Sequence, residues 1–211
     1  MSFTDIRNRK AAMTLVENLK KRSFDAYYCE DKKNALAKAL ELIDESDVVS
    51  FGGSFSVDAI GIKEALYERG QKMIDRSRAS SPEEANQMQR QALLCDTFLM
   101  SANAVSADGQ LVNVDGNGNR VAALCYGPRS VIMVVGSNKI TPDLESAIKR
   151  ARHVAAPTNA QRFPLGTPCT ESGNCADCLC ADSICSQIVI TRLSREKGRI
   201  KILVLPEELG F

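Results

Sequence analysis

Short apolar runs alternate with stretches of helical period along the first two-thirds of the chain. Val131-Ile132-Met133-Val134-Val135 is the plainest case. Five consecutive apolar residues leave no polar edge for water, so the strand they form must be covered on both faces. Val48 to Phe51 and Thr97 to Ser101 repeat the pattern, and shorter strands are predicted over 24–29 and 72–75. Between them lie helices. Residues 5–21 carry Leu15, Val16 and Leu19 on one side; 32–44 follow Asp31 as a candidate N-cap; 57–69 stop at Gly70. Residues 82–94 open with Ser81-Pro82-Glu83-Glu84, with proline in the first turn and acids at the positive helix end. This alternation predicts the α/β class, a mostly parallel sheet with helices on both faces.

The alternation breaks after Ser101. Ala107-Asp108-Gly109 joins two apolar runs, Ala104–Ser106 and Gln110–Val114, as a hairpin. A second turn, Asp115-Gly116-Asn117-Gly118-Asn119, leads to Val121–Tyr126. The segment reads as a three-stranded antiparallel meander inserted into the α/β frame. A helix is then expected from Thr141, ending before Pro157. Two apolar runs, Ile188–Leu193 and Ile200–Leu205, close the chain. The last is expected to pair at a sheet edge, within the chain or across a homodimer.

The chain of 211 residues has 27 Lys+Arg against 26 Asp+Glu, a net charge of +1. Such balance creates no general field for nucleic acid or anionic lipid, so neither is an expected partner. No apolar run approaches the ~20 residues that span a bilayer, and the N-terminus lacks the apolar segment of a secretory signal. The expected location is cytoplasmic.

In a reducing compartment clustered thiols bind metal or do redox work more often than they form disulfides. Five of the eight cysteines fall within Cys169–Cys185, spaced Cys169-x5-Cys175-x2-Cys178-x-Cys180-x4-Cys185. A C-x2-C step lets two thiolates reach one centre, and two more complete a four-sulfur set. Cys169, Cys175, Cys178 and Cys185 are the expected ligands, with Cys180 left out because ligands one residue apart aim poorly at one centre. The expected cofactor is an iron–sulfur cluster of the 4Fe–4S type, with zinc as the alternative. The competing reading is a loop of redox-sensitive free thiols.

Three turns rich in Gly, Ser or Asn are candidates for holding a small anion. Gly52-Gly53-Ser54, with Ser56, follows a strand and precedes a helix, where backbone N–H groups and hydroxyls face outward; a plain capped turn explains it equally well. Asp115, Gly116, Gly118 and Asn119 lead to Arg120, a bidentate partner for carboxylate or phosphate, or simply an ion-pair partner for Asp115. Asn138 and Lys139 follow the strand Val131–Val135. His153, between Arg152 and Val154, reads as a solvated helix-end residue rather than a catalytic one.

The stretch Ser101–Ala122, which also adds Asn103 to the candidate ligand set, resembles the LUD-domain family associated with bacterial lactate utilisation. So do Gly127-Pro128, Val135–Ile140 and the Gly52-Gly53-Ser54 turn. The resemblance covers nearly the whole chain and includes the cysteine segment, as in a stand-alone branch. It implies one domain over 1–211, with 163–187 as a cysteine-rich loop within it. The implied fold is a Rossmann-like three-layer sandwich of the NagB/RpiA/CoA-transferase type. The implied role is oxidation of L-lactate, or an associated electron transfer, alongside iron–sulfur partner proteins. Two rivals stand beside it. One is a non-redox enzyme acting on a sugar phosphate or acyl-CoA, though no Glu sits at a strand end as an acyl-transfer nucleophile would. The other is a sensor or binding module with a structural metal.

Overall fold

The computed structural model describes residues 2–211. In chain order the elements are α1 (Phe3–Lys21), β1 (Asp25–Tyr28), α2 (Lys32–Glu41), β2 (Val48–Phe51), α3 (Phe55–Asp58), α4 (Ile62–Glu68) and β3 (Lys72–Ile74). There follow α5 (Pro82–Gln91), β4 (Thr97–Met100), β5 (Ala104–Ser106), β6 (Leu111–Asp115), α6 (Asn119–Cys125), β7 (Ser130–Gly136) and β8 (Ile140–Thr141). The chain ends with α7 (Leu144–Arg150), α8 (Ala156–Ala160), α9 (Pro168–Ser172), β9 (Gln187–Thr191) and β10 (Ile200–Leu205).

Six strands form one all-parallel sheet in the order β1-β10-β7-β4-β2-β3. The apolar runs are continuous because successive residues feed two cores. Val131, Met133 and Val135 of β7 point to the side of α1, with Ala12, Leu15 and Leu19. Ile132 and Val134 point to the side of α2 and α4, with Ala35, Ala39, Ile62 and Leu66. Strand β10 splits the same way: Ile200, Ile202 and Val204 join the first core, Leu203 and Leu205 the second. A strand with only one covered face would alternate with polar residues; these do not. Asp31 accepts the Asn34 N–H at 2.7 Å to start α2, and Ser81 caps α5 with Pro82 in its first turn. Among the described residues no helix is long and apolar enough to cross a membrane.

Three local expectations are corrected. Residues 121–126 do not form the third strand of a meander; they lie in or just after α6. Asp115 Oδ2 accepts the backbone N–H groups of Arg120 and Val121 at 3.0 and 3.1 Å, which caps a helix start at the point where a hairpin turn was expected. Strands β5 and β6 do form the hairpin, but β6 takes β9 as its other neighbour, and β8 pairs parallel with β5. The second sheet is therefore four-stranded and mixed, β8-β5-β6-β9. The second correction is β10, which lies inside the main sheet between β1 and β7, so its pairing involves neither a sheet edge nor a second copy. Third, the helix from Leu144 passes Pro157 rather than ending before it. A π-turn over Ala151–Ala155 widens the backbone just ahead of the proline, which has no N–H to give and whose ring would crowd the preceding turn.

The connection leaving β2 leads outward to β3, whereas the one leaving β4 leads the other way to β7. A crevice opens where neighbouring strands diverge in this manner, at their carboxyl ends.

Candidate functional site

Strands β2, β4 and β7 are neighbours, and their carboxyl ends deliver Gly52–Ser54, Ser101–Asn103 and Ser137–Lys139 to one edge. A cavity of about 230 Å³ lies there. Of the residues expected from sequence, Gly53, Ser54, Ser56, Asn103, Asp115, Gly116, Asn119, Arg120 and Lys139 line it. Gly52, Gly118 and Asn138 do not; each supports the wall from behind. A Cβ on Gly52 would stand 2.5 Å from Arg120 Cδ, so the glycine is the space through which the arginine reaches the cavity. Gly118 adopts φ +79° at the start of α6, a left-handed conformation that favours glycine. Asn138 Oδ1 accepts the Leu209 N–H at 3.1 Å and its Nδ2 donates to the Gly210 carbonyl at 3.0 Å, holding the C-terminal residues in place.

Ser54 does both things the sequence allowed: it caps α3 by accepting the Val57 N–H at 3.4 Å, and it faces the cavity. Arg120 also satisfies both of its readings. Its Nε lies 3.6 Å from Asp115 Oδ2 while its side chain lines the cavity.

Lys139 is 3% exposed. Its Nζ donates to Ser56 Oγ at 2.8 Å, Ser101 Oγ at 2.9 Å and the Ala102 carbonyl at 3.1 Å. Both serine hydroxyls spend their own protons elsewhere, on the Leu209 and Val134 carbonyls. The ammonium is thus fully hydrogen-bonded, but by neutral acceptors alone. Burial, then the Arg150 and Arg120 guanidiniums, push the amine down from 10.5 to about 7.

Arg76, Ser101, Arg162, Phe55 and Phe211 also line the cavity and were not singled out in the sequence. Ser101 and Arg76 follow β4 and β3, so the strand-end rule was a usable signal for both. Arg162 and Phe211 carried none. Arg162 stacks 4.5 Å above the Phe55 ring, which packs on Phe211 at 5.2 Å, and only the tertiary fold brings these together.

Cys169, Cys175, Cys178 and Cys185 line a second, smaller cavity of about 90 Å³ with Arg152, Ala156, Pro157 and Ser183. Cys180 does not line it and is exposed. Burial, and then the nearby thiols of Cys175, Cys169 and Cys178, push Cys185 up to about 11. All eight cysteines are free. Among the described residues no three His, Cys, Asp or Glu side chains stand close enough to hold one metal ion. The four thiols surround a common space without being drawn into a single ligand sphere.

The two cavities share walls. Ile184 lines the larger, while its neighbours Ser183 and Cys185 line the smaller. Helix α8 places Ala156 and Pro157 on the thiol side and Asn159 on the other. Gly116 closes the contact: a Cβ there would stand 3.1 Å from Ile184 Cα.

The solved structure of a DUF162 family protein from Deinococcus radiodurans superposes with a TM-score of 0.52 at 14% identity, covering 94% of this chain and 96% of that one. Ribose 5-phosphate isomerase A from Methanocaldococcus jannaschii aligns over 54% of this chain and 55% of its own, with a TM-score of 0.35 and 17% identity. No curated protein matches the sequence. The profile of the LUD domain matches residues 12–205, nearly the full length and both sheets. The chain therefore belongs to the LUD-domain family.

Proposed function

We propose that the larger cavity binds a small organic anion of the 2-hydroxy or 2-oxo acid class, in lactate oxidation or an electron transfer associated with it. We propose further that Cys169, Cys175, Cys178 and Cys185 carry an iron–sulfur cluster beside it. The observation that carries the reading is the convergence of Arg76, Arg120, Lys139 and Arg162 on one crevice at the strand ends, where Asp115 is the only carboxylate side chain among the described lining residues. A planar carboxylate suits the Arg120 fork.

The donor set fits a cluster. It is all thiol, and the cysteine excluded on spacing is the one that lies outside the cavity. Four sulfurs around one zinc, each at ~2.3 Å, would crowd into a single tetrahedron. A cluster takes one thiolate per iron and so asks for a wider ring than a zinc ion does. Bound there, it would supply one-electron transfer. The chain's own residues supply the wall: Arg152 and Asp177, paired with each other, lie against the thiols. The acyl-transfer rival finds no glutamate among the residues lining the larger cavity.

Purification without oxygen, followed by iron, zinc and acid-labile sulfide analysis, tests the assignment. Brown protein with stoichiometric iron and sulfide is expected, and colourless protein from the Cys175→Ser/Cys178→Ser variant. Zinc in place of iron would turn the site into a structural one. Absence of both metals, with all thiols open to alkylation, would remove it.

A further inference from the structure

The charge balance of the larger cavity narrows the ligand further than its family membership does. Four cationic side chains line it against one carboxylate side chain among the described residues, and that carboxylate is already committed. Asp115 Oδ2 holds two backbone N–H groups at the start of α6 and stands 3.6 Å from Arg120 Nε. Arg76, Arg162 and Lys139 are in no ion pair among the described residues. Lys139 is buried, with only neutral acceptors around its nitrogen. Facing it are Arg120 from α6 and Arg150 from α7, the latter committed to the Asn138 and Asn103 carbonyls.

A buried cation without a counter-ion is costly, and a ligand anion is the natural remedy. One negative charge can answer Arg120 or Lys139, but not both and the rim arginines as well. We propose that the ligand is at least a dianion: a 2-hydroxy or 2-oxo acid bearing a second anionic group, either a carboxylate, for two charges, or a phosphate, for nearly three at neutral pH. Its 2-acid end is held by Arg120 and its second charge by the Arg76–Arg162 rim, with Lys139 beneath acting through its charge alone, since its three N–H groups are already taken by Ser56, Ser101 and Ala102. The proposal rests on the anion-cavity reading above, not on lactate itself as the occupant, and narrows it. Because Lys139 meets an anion only in the complex, binding also draws a proton onto its nitrogen at neutral to mildly alkaline pH.

Three probes separate the possibilities by calorimetry on the oxygen-free full-length protein: L-lactate with one charge, L-malate with a second carboxylate, and 3-phospho-D-glycerate with a phosphate. At least one of the last two is expected to bind about tenfold or more tightly than lactate. The stronger of the pair identifies the second group. Repeating the titration in buffers of different ionisation enthalpy is expected to show proton uptake with the dianion. Lys139→Met should abolish that uptake and narrow the gap to lactate. Arg162→Ala, at the exposed rim and remote from the core, should also narrow the gap without touching the fold. Lactate binding as tightly as both more highly charged probes would overturn the proposal while leaving the anion cavity standing. No binding of any probe by natively folded protein would overturn both.

Discussion

Lys139 is the residue in which sequence, packing and chemistry meet most directly. The amine sits at a strand's carboxyl end, where a Gly-Ser-Asn turn carries it inward beneath two serines. Its folded value of about 7 lies below the ordinary 10.5, so between those limits the unfolded chain binds the proton that the folded one releases. Stability of the ligand-free protein gains from this group as pH rises from about 7 towards 10.5, and bears its full cost below about 7. Thiols titrate in the same range with the opposite sign, since Cys29 and Cys95 are pushed up to about 11 and about 12 by burial. The lysine is therefore read by difference. Denaturant unfolding of wild type and Lys139→Met from neutral to mildly alkaline pH should show the variant's relative advantage shrinking as pH rises. A constant difference would mean that the amine titrates normally and is not in the environment described.

At the scale of elements, β4 and β7 were legible because both faces of each strand are buried, which leaves a nearly continuous apolar run, while β10 was legible as a strand but not in its place inside the sheet. The Val121–Tyr126 run was not. Val121, Ala123 and Leu124 are buried, a spacing that suits a helix face as well as an irregular strand. What decides is Asp115, at the end of β6, whose carboxylate takes two N–H groups of the helix start. The same side chain sits beside Arg120. Asp115→Ala should cost about 2–4 kcal/mol, from a lost cap and a half-buried guanidinium left without its partner. Asp115→Asn keeps an acceptor for the helix and should recover about 1 kcal/mol of that. Chemical denaturation of the two variants checks the order. If they are equally destabilised, the cap contributes nothing and α6 is held by Ala123 and Leu124 alone. The π-turn before Pro157 and the placement of β9 beside β6 lay beyond local reading, because each depends on a neighbour far away in the chain.

Across the whole molecule, the three strand-end turns were visible one by one, but their meeting with Arg76, Arg162 and Phe211 was not, since chain segments from both ends are needed to close the cavity. That Cys169, Cys175, Cys178 and Cys185 would gather around one space was easier to read, because these residues are near one another in sequence. The fold then joins the two sites through Ile184 and α8, whose residues stand between them. Residues 163–187 have little packing of their own; Leu179 is 99% exposed and α9 buries no side chain. For a loop so thinly anchored, the proposed cluster would be the main anchor. Losing that centre should loosen Ile184 against Gly116 and weaken anion binding roughly tenfold, within the usual range for coupled sites. The Cys175→Ser/Cys178→Ser variant, compared with wild type by calorimetry on whichever probe anion binds best, measures this directly. Linkage requires the reverse effect too: saturating anion should make iron correspondingly harder for a chelator to remove. Equal anion affinity in a variant that has lost its metal would show that the shared wall is rigid on its own, and that the two sites act independently.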